Sequence, residues 1–161
     1  MTPVAATALA VLILDQLAKY WALQRLPPGL PRTVIDGFFS LTLVLNPGLA
    51  FGMLAGVPTA WRWLVALLSI GALAVLATVG LRMLPGGGRL TPLALGLIFG
   101  GAVGNLIDRA RFGAVVDFLD FFWRGYHWPA FNVADSAITV GVALLALRML
   151  TTPSSPSRSA S

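Results

Sequence analysis

Cysteine and glutamate are absent from this chain, and lysine and histidine occur once each, as Lys19 and His127. Without cysteine there is no disulfide, no thiol nucleophile and no lipidated cysteine on the chain itself. One histidine cannot build a zinc site alone, so no metal and no cofactor is expected. Charge is scarce: 11% of the 161 residues are charged and 57% are hydrophobic, where soluble proteins carry about one quarter charged. A soluble core of this size could not hide so much apolar surface. That excludes an ordinary soluble domain and leaves lipid as the better solvent. Internal repeats are missing, and no stripe of basic and aromatic residues points to nucleic acid. The net charge of +5 suits contact with anionic lipid headgroups.

What is present begins with uncharged runs. Residues 63–81 and 90–107 carry no charge over 19 and 18 positions, close to the roughly 20 that span a bilayer core as helix. Two further spans, about 4–23 and 130–150, are interrupted by Asp15 and Lys19 and by Asp135. With the second span set at about 61–81, the pattern predicts an all-α membrane protein of four transmembrane helices, one domain over 1–150. The first span lacks the basic start of a secretory signal and has Asp15 and Lys19 where an apolar core belongs, so it is expected to stay as a permanent helix. The Pro/Ser-rich end, 151–161, reads as a disordered tail.

Four spans fix which polar groups share a side. The connections 24–59 and 108–129 fall together, and the 82–89 loop and both termini fall opposite. All six aspartates (Asp15, Asp36, Asp108, Asp117, Asp120 and Asp135) then gather on one side or in the adjoining half of the membrane. The other side holds Arg82, Arg89, Arg148 and Arg158 and no acid. Lys and Arg counts, which set orientation, leave it undecided, with seven on the acid-bearing side (Lys19, Arg25, Arg32, Arg62, Arg109, Arg111, Arg124) against four. "FFSLTLVLN" (38–46) is β-compatible and meets the Pro/Gly-punctuated "NPGLAFG" (46–52), which predicts a small sheet-like platform at the membrane surface. "VVDFLDFFWRGYHW" (115–128) mixes aromatics with charges and reads as a segment lying in the interface.

The charges concentrate where chemistry would need them. Asp135, in "FNVADSAI" (131–138), lies just inside a span, where an ionisable residue points to function by default; its bland role is a helix cap. Asn132 and Asp135, at i and i+3, are read as sharing a helix face. Asp117 alone is an ordinary interfacial carboxylate. Beside Asp135 it becomes half of a pair in which one acid keeps its proton, so that one takes a proton from water while the other donates to a carbonyl oxygen. Such a pair titrates as a unit. Asn105, Asp108 and Arg109 present an amide, an acid and a guanidinium on one helix face. Gly100, Gly101 and Gly104 are read as small residues for close helix packing. Asp15 and Lys19, at i and i+4, can neutralise each other, Asn46 can be a turn residue, and His127 reads as a bystander. A Ser136–Lys19 hydrolase pair has no supporting motif.

"DQLAK" (15–19), "NPGLAFG" (46–52), "GNLIDRARFGAVVDF" (104–118) and "FNVADSAI" (131–138) together resemble, in order, the blocks of lipoprotein signal peptidase (signal peptidase II), a membrane-embedded aspartyl protease family of bacteria. The resemblance implies that Asp117 and Asp135 are the catalytic pair, that Asn105, Arg109 and Asn132 line the substrate site, and that Asn46 and Asp15 support it. It implies an endopeptidase of the bacterial cytoplasmic (inner) membrane, termini cytoplasmic and active site facing the extracytoplasmic side. The implied substrate is a prolipoprotein carrying diacylglycerol, cut just before the lipidated cysteine, and the implied inhibitor is globomycin. Membrane lipids are the other expected partner, and the chain is expected to be a monomer. One departure is Leu49, where the family commonly has alanine. The competing reading is a small proton-coupled carrier using Asp15, Asp117 and Asp135 as relays. It calls for acids through the full depth of the bundle, or for a repeat.

Overall fold

The computed structural model describes residues 3–47, 67, 71, 74, 75, 78, 82 and 88–151. Three helices, α1 (Pro3–Arg25), α2 (Leu90–Phe112) and α3 (Val133–Thr151), are long and apolar enough to cross a membrane. The second predicted span, 61–81, lies outside the described residues except for Leu67, Gly71, Ala74, Val75 and Thr78, which are helical, as is Arg82. Residues 48–52 of the "NPGLAFG" block, Leu49 among them, and the tail beyond Thr151 also lie outside.

The helices are turned inside out relative to a soluble bundle. On α1, Leu14 and Leu17 are 60% and 61% exposed while Asp15 and Lys19 are 0% and 2% exposed. Apolar side chains face outward and charged ones inward, the arrangement that lipid favours. Glycines let the backbones approach. A Cβ on Gly100 would stand 2.5 Å from the Ala8 carbonyl of α1, and one on Gly101 2.5 Å from the Ala134 carbonyl of α3. The same neighbours give the directions. Gly96, Gly100 and Gly104 meet Thr7, Ala8 and Asp15 in rising order, so α1 and α2 run parallel. Gly101 meets Ala134 while Gly141 meets Ala94, so α3 runs back.

α2 outlasts its predicted end at 107 and carries the charged stretch as helix to Phe112. Gly113 stops it: at φ 66° it takes the left-handed cap and donates its N–H to the Arg109 carbonyl at 3.0 Å, a conformation glycine adopts without a side-chain penalty.

Above the ends of α1 and α2 and the start of α3 sits one antiparallel sheet: β1 (Arg32–Ile35), β2 (Phe39–Asn46), β3 (Val115–Trp123) and β4 (Tyr126–His127), in that order. The segment 115–128, read from sequence only as interfacial, supplies β3 and β4 to the same sheet as the 38–46 platform. β3 hid from sequence reading because Val115, Val116, Asp117 and Phe118 are all buried, and a strand covered on both faces shows no alternation. Arg124 and Gly125, with φ 49° and 83°, form the two-residue turn between β3 and β4, both central residues left-handed as a tight hairpin demands.

Ala22, Leu26, Leu43, Val116 and Phe118 pack as the core that seats the sheet on the end of α1. β3 also pairs outward with the approach to α3: Leu119 exchanges backbone hydrogen bonds with Phe131 at 2.9 and 3.1 Å. That pairing delivers Asn132 to the mouth of the bundle.

Candidate active site

Asn132 is the N-cap of α3. Its side-chain oxygen accepts the Asp135 N–H at 2.8 Å, and its own N–H donates to the Asp135 carboxylate at 3.3 Å, a capping box with aspartate at the third position. The two residues therefore meet through the cap and do not share a helix face, because Asn132 precedes the helix. The bland reading of Asp135 as a capping residue and the functional one are both compatible with this geometry.

The Asn132 side-chain amide also donates to Asp117 Oδ1 at 2.8 Å. One asparagine thus holds both carboxylates. Asp117 Oδ2 accepts from Asn46 Nδ2 at 3.0 Å, and Asp135 Oδ1 accepts from Asn105 Nδ2 at 2.8 Å. Asp117 is 1% exposed, whereas Asp135 is half-buried. Burial, and after it the charge of Asp135, pushes the Asp117 carboxyl up to about 7, against the hydrogen bonds from Asn46 and Asn132 and the charge of Lys19. Two acids with unequal surroundings can hold one proton between them near neutral pH.

Beneath this pair the first helix contributes its charges. Lys19 Nζ lies 2.8 Å from Asp15 and 2.7 Å from Asp108, and donates to Asn105 Oδ1 at 2.9 Å. Asp15 also accepts the Ala134 N–H at 2.9 Å, where the helix dipole favours an anion. Asp108 accepts the Val116 N–H at 3.1 Å and a hydrogen bond from Gln16 at 3.2 Å. Among the described residues no buried polar side-chain atom is left without a partner, the condition under which a buried ionic network can persist.

The residues that the resemblance assigns to the site therefore fall in or against one cluster. Asn105, Asn132, Asn46, Asp117 and Asp135 are joined directly. Asp15 sits deeper, reaching the cluster through Lys19 and the first turn of α3. Arg109 donates to the Asn105 carbonyl at 3.4 Å and lies within electrostatic range of Asp135, Asp117 and Asp108. Ser136 is spent on the Asn132 carbonyl at 2.9 Å and Lys19 on its acids, so they form no hydrolytic pair.

Asp120 was given no role and His127 was read as a bystander, but the two meet. His127 Nδ1 meets Asp120 Oδ1 at 2.8 Å, and its ring stacks on Phe122 at 5.0 Å. The tight "RG" turn between Trp123 and Tyr126 was the available signal, since it folds His127 back beside β3. Among the described residues no group of three or more His, Cys, Asp or Glu side chains is placed to hold a metal ion.

Apolar helices that bury their charges under a sheet, with acids and amides converging where the two meet, define a membrane-embedded enzyme. The comparisons narrow this. Residues 7–151 match the family model described as Signal peptidase (SPase) II, and the chain belongs to that family. It is 50% identical over 145 residues to a Geobacter sulfurreducens protein named lipoprotein signal peptidase, covering 90% of this chain and 89% of the relative. An Oleidesulfovibrio alaskensis protein of the same name is 47% identical over 141 residues, 87% of this chain and 89% of the relative. A solved bacterial membrane enzyme structure is similar at TM-score 0.74 and 31% identity, over 98% of this chain and 93% of that one.

Proposed function

We propose that this protein is the endopeptidase that removes the signal peptide from diacylglyceryl-modified prolipoproteins, cutting before the lipidated cysteine, and that Asp117 and Asp135 carry the reaction. The observation that carries the reading is the shared asparagine: Asn132 holds one carboxylate with its side-chain amide and the other with its backbone N–H. In the mechanism, the ionised member of the pair takes a proton from water as the water oxygen attacks the scissile carbonyl carbon. The protonated member donates to the carbonyl oxygen. Collapse of the tetrahedral intermediate breaks the C–N bond: the leaving amine takes the proton that came from water, and the other carboxylate takes back a hydroxyl proton, so the pair ends with one proton as it began. Asn105, Arg109 and Asn132 bind the peptide backbone, whose buried amides and carbonyls need partners; Asn46 supports the site by holding Asp117, and Asp15 supports it from below.

The proposed architecture has four spans within a single domain, 1–150, followed by a cytoplasmic tail, 151–161. Its support is topological. α1 and α2 run parallel and both end at the sheet, so the chain between β2 and α2 has to return across the bundle. The uncharged run 63–81 suits that return. The proposed setting is the cytoplasmic membrane, with the sheet and site on the extracytoplasmic side, both termini cytoplasmic, and a monomer as the working unit. Lipidated substrates then need not lift their acyl chains from the bilayer, and the sheet clamps the peptide and excludes bulk water. The carrier reading is not favoured: the relatives are named peptidases, and Asp117 and Asp135 are joined at one end of the helices.

The test uses purified protein in detergent, with chelator present and prolipoprotein offered with and without diacylglycerol. Cleavage before the modified cysteine, restricted to the diacylated form and blocked by globomycin, is expected. A folded preparation that leaves the diacylated substrate intact contradicts the proposal.

A further inference from the structure

Another aspartate, Asp120, lies outside the cluster just described and is 7% exposed. Its Oδ2 accepts from Ser40 Oγ at 3.2 Å and from Thr42 Oγ1 at 3.1 Å, both on β2, and its Oδ1 meets His127 at 2.8 Å. One hydroxyl, Ser40, lies just before an irregularity in the sheet, and the other, Thr42, lies within it. Ser40 pairs with Asp120 and Leu41 with Leu119, but the next pair is Val44 with Asp117. From Leu41 to Val44 is three steps on β2, and from Leu119 to Asp117 is two on β3. One extra residue is therefore accommodated, as in a β-bulge.

The bulge decides which side chain meets Asp117. In an unbroken register Leu43 would oppose Asp117, and Asn46 would oppose Ala114 on the other face of the sheet, since a one-residue slip reverses every later side chain. With the bulge, Asn46 pairs with Val115. It stands on the Asp117 face, and its amide reaches Asp117 Oδ2 at 3.0 Å.

We infer that Asp120 is a positioning residue for the reaction: by gathering Ser40 and Thr42 it fixes the bulge that turns Asn46 onto Asp117. The inference rests on the proposed role of Asp117. It adds that the geometry of that acid is set from the opposite face of the sheet, through hydroxyl groups that touch neither carboxylate of the pair. The other charged groups facing Asp117 are Asp135 on α3, Lys19 on α1 and Arg109 on α2. None of them lies on β2, so a change at Thr42 reaches Asp117 by way of Asn46; Asp120 shares β3 with Asp117, and Thr42→Val separates the route through the bulge from one along that strand.

A mutant cycle read as kcat/KM against pH tests this, using full-length protein in detergent and a diacylated prolipoprotein. The Asn46 hydrogen bond favours the ionised form of Asp117. Asn46→Ala, Asp120→Ala and Thr42→Val should therefore each move the alkaline limb of the profile upward. Each should lower kcat roughly ten- to a hundredfold, the range for one hydrogen bond to a charged group, with KM within about twofold of wild type. In the Asn46→Ala background, adding Thr42→Val should change neither the limb nor kcat further. Thr42→Ser and Asp120→Asn, which keep the hydroxyl and one accepting oxygen, should restore the wild-type profile. Thr42→Val preserves shape and decides the matter if Asp120→Ala does not fold. An unmoved limb, or full additivity with Asn46→Ala, overturns the inference. Activity retained in Asp117→Asn would instead bring down the acid-pair reading on which it rests.

Discussion

Asn132 donates its side-chain amide to Asp117 at 2.8 Å and, with the oxygen of the same amide, caps the helix that begins with Asp135 at its third position. One side chain therefore serves the fold and the site with different atoms. The two roles can be separated by experiment.

Serine caps helices about as well as asparagine but has no amide to reach Asp117. Asn132→Ser should keep thermal stability within about 1 kcal/mol of wild type and lose roughly 10²-fold in kcat, as expected for removal of a preorganised donor. Asn132→Ala should lose both, with a further stability cost of about 1 kcal/mol for the cap. Thermal unfolding in detergent alongside cleavage rates distinguishes them.

Asp117 sets a pH dependence. Its folded value of about 7, raised by burial and then by Asp135, exceeds the ordinary carboxylate value, so the folded chain keeps a proton that the unfolded chain releases. This group's contribution to stability is complete below about pH 4. It is lost as pH rises to about 7. For activity, the shared proton should be lost over the same upper range, giving an alkaline limb in kcat/KM near pH 7. A profile flat from pH 6 to 9 would show that no such proton is required.

Lys19 neutralises Asp15 and Asp108 at 2.8 and 2.7 Å, and removing it strands two buried carboxylates. Lys19→Ala should cost about 3–5 kcal/mol of stability, seen as a large drop in unfolding temperature and in the yield of folded protein. Replacing all three charges with apolar residues of similar volume should recover much of that stability without recovering activity.

Gly104 faces the Asp15 carboxylate closely enough that an added Cβ collides with it, whereas nothing among the described residues lies within 4 Å of the same position on Gly71. Gly104→Ala should destabilise by about 1–3 kcal/mol, the usual cost of overpacking. Gly71→Ala should be neutral or slightly stabilising, as expected in a helix interior. Paired thermal melts of the two variants check this.

Much of this was legible in the sequence because membrane burial makes each charge conspicuous. Asp15, Lys19, Asn105, Asp117, Asn132 and Asp135 stood out against apolar neighbours, and in the fold they form one connected network. β2 could be read from its aromatic and branched residues. β1 could not: it has four residues, all exposed, and is held only by pairing with its neighbour. β3 buries its first four residues on both faces, Asp117 included, so its strand period is invisible. The Asp120 cluster escaped because its partners come from β2 and from β4 beyond a tight turn, and linear spacing does not report sheet register. The capping box was half seen: the i, i+3 spacing was right, but the helix starts one residue later than that reading required.

The central claim, that Asp117 and Asp135 act as one unit, is tested most directly by kcat for Asp117→Asn, Asp135→Asn and the double variant on a diacylated prolipoprotein. Each single substitution should lower kcat on the order of 10³-fold, and the double should be no slower than either, because a unit broken once is already broken. A single variant within about tenfold of wild type, or losses that multiply in the double, would contradict it.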